Sequence, residues 1–180
     1  MAKQGIVLYT SRTGYSKRYA EHIAKELDYD IKPLAKANLF SVSCYPTIVY
    51  GGGLHHNRID GFKGIIEGSS YFGEQSLIVF SVGLASMNED LIKQIRLKNF
   101  PDLEAGTFFY HPLPGGLSRA DANGTMAEKV AAFKAKRDEG KKLTRGDKIA
   151  LAIAAGEAAE QNRFDTAACA PLIEAALRHA

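Results

Sequence analysis

The chain of 180 residues is 46% hydrophobic and 24% charged, an ordinary mixture for one soluble domain with a full-sized core. Its formal net charge of +3 is too small by itself to argue for nucleic acid, and no apolar run approaches the roughly 20 residues of a membrane-crossing helix. Cys44 and Cys169 stand far apart and fit no metal or disulfide spacing, so both read as reduced thiols packed as small apolar groups.

In chain order, MAKQGIVLY enters a strand with no signal-peptide cleavage pattern, which predicts a cytoplasmic protein. GIVLY (5–9) is the first of five apolar, β-rich runs; the others are YDIKPL (29–34), PTIVY (46–50), SLIVFSV (76–82) and GTFFYH (106–111). Several are almost continuously apolar, as strands covered on both faces should be. Between the first two, Tyr19, Ala20, Ile23, Ala24 and Leu27 fall on one stripe of a helix whose other side carries Lys17, Arg18, Glu21, Lys25 and Glu26. Phe62, Ile65 and Ile66 predict a second helix ended near Gly68, and Leu91, Ile92 and Ile95 a third, opened by Asn88. Strands alternating with helices define a three-layer, doubly wound α/β domain.

The first strand ends at Tyr9 and the helix begins near Ser16, so TSRTGY is a short turn at the positive end of a helix, where an anion binds. Thr10, Ser11, Thr13 and Ser16 supply hydroxyl donors, and Gly14 lets the backbone approach a ligand closely. Arg12 either complements the anion or faces solvent. Neither GxxxxGK[ST] nor GxGxxG is present, which argues against a nucleoside-triphosphate P-loop and a dinucleotide fingerprint. The competing reading is a turn whose Thr and Ser residues only cap the helix.

SRTGYS (11–16) fits the [ST]xTGx[ST] phosphate loop of the flavodoxin family and stands where that family carries it, directly after the first strand. YGGGLHHNRI (50–59) and VGLASMNED (82–90) follow the third and fourth strands, where flavodoxin-like proteins place the loops around the isoalloxazine ring. The resemblance implies a five-stranded parallel sheet in order 2-1-3-4-5 with FMN at its C-terminal edge. It implies cofactor contacts from Thr10, Ser11, Arg12, Thr13, Gly14, Tyr15 and Ser16, from Gly51, Gly52, Gly53, Leu54 and His55, and from Val82, Gly83, Leu84 and Ala85. The three consecutive glycines read either as room for the ring or as a flexible strand-to-helix connection. His55 and His56 are adjacent and cannot share a metal as i,i+4 ligands would, so no metal is expected. Electron-carrying flavodoxins are usually acidic and clamp the ring between aromatic residues, whereas this chain is mildly basic and has no Trp. Its FSVGL and HPLPGGLSRAD stretches resemble the branch that includes the protoporphyrinogen dehydrogenases, which implies an oxidoreductase passing electrons to a quinone or another organic acceptor. A one-electron carrier serving redox partner proteins, and a binding module without FMN, are the alternatives.

Beyond Pro112 and Pro114, the pair Thr125 and Glu128 has capping-box spacing and predicts a helix with Met126, Val130 and Phe133 on one face, ending by Gly140; a second helix opens near Thr144. Residues 129–148 hold eight basic and three acidic side chains. They read as a solvated helical insert or as a surface for an anionic membrane face, an acidic partner or a carboxylate-bearing substrate. No nucleic-acid module is present. DTAACAPLIEAALRHA (165–180) closes the sheet with a helix in which Pro171 either occupies the first turn or makes a kink. The whole chain, 1–180, reads as one flavodoxin-like domain with 124–160 as a helical insert.

Overall fold

The computed structural model of the chain describes residues 3–68, 75–101 and 108–178. Its central sheet is built from β1 (Gly5–Thr10), β2 (Asp30–Pro33), β3 (Thr47–His55) with the two-residue β4 (Arg58–Ile59) folded back on its end, β5 (Ser76–Gly83) and β6 (Phe108–Pro114). The five long strands run parallel in the order β2-β1-β3-β5-β6. With the hairpin strand β4 set aside, this is the predicted 2-1-3-4-5 arrangement, an α/β fold with a helical C-terminal region. Gly106 and Thr107, the first residues of the predicted last strand, lie outside the described residues, as do His179 and Ala180 of the closing helix.

Alternation along the strands sorts the core into two layers. Val7, Val49, Ile78 and Phe80 face α1 (Tyr15–Leu27), where Tyr19, Ala20 and Ile23 are fully buried. Their neighbours Ile6, Leu8, Ile48, Tyr50 and Val79 face the opposite side, which is covered by the short α2 (Leu39–Val42), α3 (Phe62–Glu67) and α4 (Glu89–Asn99). Each fully buried large apolar side chain contributes about 1.5–3 kcal/mol. α4 starts where expected, because Asn88 accepts a hydrogen bond from the Leu91 N–H.

The chain then leaves the sheet through β7 (Gly116–Leu117), forms α5 (Arg119–Asn123), α6 (Ala127–Asp138) and α7 (Arg145–Ala155), and returns through β8 (Gln161–Asn162), which pairs antiparallel with β7. That pairing pins the two ends of the excursion together. Leu117, Ala122, Met126, Phe133, Ala150 and Ile153 form a third apolar cluster, against which Leu84 from the end of β5 packs. α5 to α7 are therefore a cap set on the C-terminal edge of the sheet. The closing helix α8 (Ala170–Arg178) lies beside α1, with Leu172 and Ala176 fully buried. Pro171 sits in its first turn, preceded by a 3-10 turn over Thr166–Cys169, so no kink arises. Among the described residues, no helix is long and apolar enough to cross a membrane.

Two local expectations change. The Thr125–Glu128 capping box does not form: α6 begins after Met126 without a side-chain cap, and the Thr125 hydroxyl donates to Asp121 instead. The box forms one helix later, where Thr144 and Asp147 cap α7 reciprocally. Residues 51–55, expected as loop, continue β3; the turn comes at His56 and Asn57, whose φ angles are 52° and 61°. Both central residues of a tight I′ hairpin need positive φ, and Asn57 suits this better than His56. The strain at His56 is held from outside, since Lys98 donates to its carbonyl at 2.9 Å and its ring meets Asp147.

Candidate functional site

The turn after β1 is shaped as the sequence requires. Gly14 adopts φ 88° at the N-terminus of α1, no side chain caps that end, and no acidic residue stands in the first turn. The Gly14 N–H donates to the Ser11 hydroxyl oxygen at 3.1 Å, leaving the Ser11 proton free to donate outward. The first-turn N–H groups of α1 and the hydroxyls of Ser11, Thr13 and Ser16 thus form one donor set, suited to a phosphate group. Thr10 has a different task. Tyr50 donates its hydroxyl proton to the Asp60 carbonyl and accepts from Thr10 at 2.9 Å, so Thr10 ties the turn to the sheet. Burial pushes the Tyr50 hydroxyl up to about 12 despite the bond from Thr10, which keeps it a donor at neutral pH.

One cleft joins this turn to the ends of β3 and β5. Arg12, Thr13, Tyr15 and Ser16 line one end; Gly53, Leu54, His55, Val82, Gly83 and Leu84 line the middle; Met126, Phe133 and Ala150 of the cap form the far wall. Three separate stretches of the resemblance therefore converge on a single site. Ser11 and Gly14 shape the turn behind it. Gly51 and Gly52 are not in the lining: they lie within β3, paired to β1 and β5 on both sides. A Cβ on Gly51 would come within 1.8 Å of the Phe80 ring, and one on Gly52 within 2.4 Å of the Asp60 carbonyl. Their smallness serves the sheet. Ala85 is buried beside the cleft rather than in its lining.

Asp60 is the residue the sequence did not signal. It follows the hairpin directly, and two cationic side chains and an imidazole converge on it: Arg12 at 3.0 Å, Lys129 of the cap at 3.6 Å and His55 Nε2 at 3.1 Å. Burial alone would raise its carboxyl, but the hydrogen bond and charge of His55, the hydrogen bond from Arg12 and the charge of Lys129 together bring it down to about 2. Arg12 is thus neither free in solvent nor aimed only at the turn; Asp60 holds it beside the donor set.

The cap closes the cleft through two further contacts. His56 Nδ1 lies 2.6 Å from Asp147 of α7, and Arg163, just past β8, donates to the carbonyls of Gly83 and Leu84 at the end of β5. Tyr15 donates to the Gln161 carbonyl at 3.4 Å. In this closed arrangement the cleft keeps about 50 Å³ of internal space, room for a few waters.

A parallel α/β sheet with an anion-type turn after its first strand and a cleft at its C-terminal edge defines a doubly wound α/β protein with a ligand-sized site at its switch point. The sequence profile of the flavodoxin domain matches residues 6–110, more than half of the chain, and the chain belongs to that family. Membership indicates a flavin cofactor. The matched residues carry the turn and both ring segments; the cap lies beyond them. Among solved structures, a protein described as a flavoprotein from Bacteroides uniformis is 18% identical, covering 64% of this chain and 92% of its own, with a TM-score of 0.45. Another, from Bacteroides eggerthii, is 14% identical over 74% of this chain and 98% of its own, with a TM-score of 0.47. A flavodoxin from the domain Archaea is 15% identical over 60% of this chain and 83% of its own, with a TM-score of 0.39. A search of curated proteins found no match.

Proposed function

We propose that the chain holds FMN in this cleft and passes electrons from a reductant to a quinone or another small organic acceptor, in the manner of the protoporphyrinogen dehydrogenases its FSVGL and HPLPGGLSRAD stretches resemble. The observation that carries the reading is the convergence of the hydroxyl-rich turn, the end of β3 and the end of β5 on one cleft. The residues fit the cofactor at both ends. At one end Ser11, Thr13, Ser16 and the first-turn N–H groups of α1 would hold the phosphate, each charge-assisted bond contributing about 1.5–3 kcal/mol. At the other end Gly53, Leu54, Val82 and Leu84 offer an apolar, low-relief seat for a flat ring. Bound there, FMN supplies reversible uptake and release of electrons. Met126, Phe133 and Ala150 of the cap keep water from that end, and Asp60 fixes Arg12 next to the phosphate position.

The cap also favours a small acceptor over a protein partner. It stands over the edge of the sheet at which a partner protein would have to meet the ring.

The test is to purify the protein, identify any released cofactor by mass, reduce the loaded protein without oxygen and add menadione. One FMN per chain and rapid reoxidation by the quinone are expected. A chain that neither carries nor takes up flavin would overturn the proposal, and a loaded chain that menadione does not reoxidise would overturn its acceptor.

A further inference from the structure

Outside the cleft, a groove of about 440 Å³ runs between α4 and the segment joining α6 to α7. That volume is within the range of small-molecule sites, about 300–1,000 Å³. Three cationic side chains line it, Lys98, Lys142 and Arg145, against one carboxylate, Asp90. The cations are unequally engaged. Lys98 is steered by its bond to the His56 carbonyl, whereas among the described residues Lys142 and Arg145 have no ion-pair partner. Elsewhere in the basic stretch Lys129 pairs with Asp60, Arg137 with Asp138 and Lys141 with Glu139; what sets Lys142 and Arg145 apart from the other unpaired lysines is their place in the groove lining. Unpaired like charges gathered in a concave surface focus their potential on whatever enters it.

The groove lies beside the cleft. A small pocket of about 20 Å³ lies between them; Asn57, Leu91, Thr144 and Arg145 border both pocket and groove, and Leu54, Leu84 and Gly146 border both pocket and cleft. Within the groove the cations stand beside the apolar side chains of Leu91 and Leu143. A ligand matching that pairing has an anionic head and an apolar body. We infer that the groove is the docking site for an organic anion, its acidic group held by Lys142 and Arg145 with Lys98 and its apolar body set against Leu91 and Leu143 on the side nearest the cleft. The inference rests on the proposed function only in naming that anion as the electron-exchanging substrate; the groove and its charges stand without a flavin.

The experiment separates the two. The full chain without added flavin is titrated with 2-naphthoate and with the neutral 2-naphthylmethanol while backbone amide shifts are followed by NMR. Saturable shifts confined to Asn57, 86–98 and 142–146 are expected for the naphthoate, with the alcohol at least about tenfold weaker. The exposed double variant K142Q/R145Q should raise the naphthoate Kd about tenfold and leave the alcohol unchanged. In the flavin-loaded protein, the same variant should raise KM for 1,4-naphthoquinone-2-sulfonate but not for menadione. Shifts scattered over the surface, equal binding of the alcohol, or a variant that binds naphthoate like the parent would overturn the inference. A protein that takes up no flavin but shows the expected shifts sinks the proposed function and keeps the groove.

Discussion

His56 at the tip of the β3–β4 hairpin and Asp147 in the first turn of α7 meet at 2.6 Å, although 91 residues separate them in the chain. Asp147 is almost fully buried and also accepts from the Thr144 N–H, so one carboxylate both caps α7 and fastens the cap to the sheet. His56→Ala leaves one side of that carboxylate without its partner, a loss of about 1–3 kcal/mol. The expected signature in hydrogen exchange is faster exchange across α6 and α7 with the β1, β3 and β5 amides unchanged. Uniform acceleration of the whole fold would show that the contact does not act on the cap alone.

Asp60 makes a pH-dependent contribution. Its carboxyl titrates near 2 in the folded protein, against about 3.9 in an unfolded chain. The depressed value means that the ionised form stabilises the fold by about 2 kcal/mol above pH 4, and that this contribution is lost as the pH falls toward 2. Asp60→Asn should therefore be less stable than the parent at pH 5 by about that amount, with the difference shrinking to near zero at pH 2. Urea unfolding of both proteins across this range measures it. A gap independent of pH would mean that the carboxylate's charge is not what stabilises.

Tyr19 ties three parts of the chain together. Its hydroxyl donates to the Pro114 carbonyl at 2.7 Å and accepts from the Asp165 N–H at 3.0 Å, joining α1 to the end of β6 and to the segment before α8. Tyr19→Phe keeps the ring and strands both backbone groups, a cost of about 1–3 kcal/mol in thermal or urea unfolding. A loss below about 0.5 kcal/mol would show that water replaces the hydroxyl without penalty.

The two thiols should differ sharply. Burial raises Cys169 to about 12, whereas Cys44 is exposed. At pH 8 a thiol reagent should modify one cysteine per folded chain, and the second only in denaturant. Two fast equivalents would contradict the packing of Cys169 under α8.

What the sequence showed was set mainly by near neighbours. The five strands, the turn at Ser11 to Ser16 and the Asn88 and Thr144 caps follow from periodicity and from bonds spanning a few residues. The hairpin at His56 and Asn57 was hidden because its turn lacks the usual glycine and is stabilised by Lys98 and Asp147, distant in the chain. Without that hairpin nothing brought Asp60 back to Arg12. Gly51 and Gly52 looked like loop punctuation because the Phe80 ring and the Asp60 carbonyl, which require their smallness, come from other segments. The wall formed by Met126, Phe133 and Ala150 was beyond local reading for the same reason: their apolar spacing marks a helix face but not what the face covers.

The central claim is that the turn after β1 grips the phosphate of FMN. Calorimetric titration of the flavin-free chain with FMN and with riboflavin, which differ by that phosphate, tests it most directly. FMN should bind at one per chain and at least about a hundredfold more tightly than riboflavin, an advantage of ~2.7 kcal/mol, and Thr13→Ala with Ser16→Ala should remove most of it. Equal affinity for the two, or an advantage untouched by the double variant, would contradict the account.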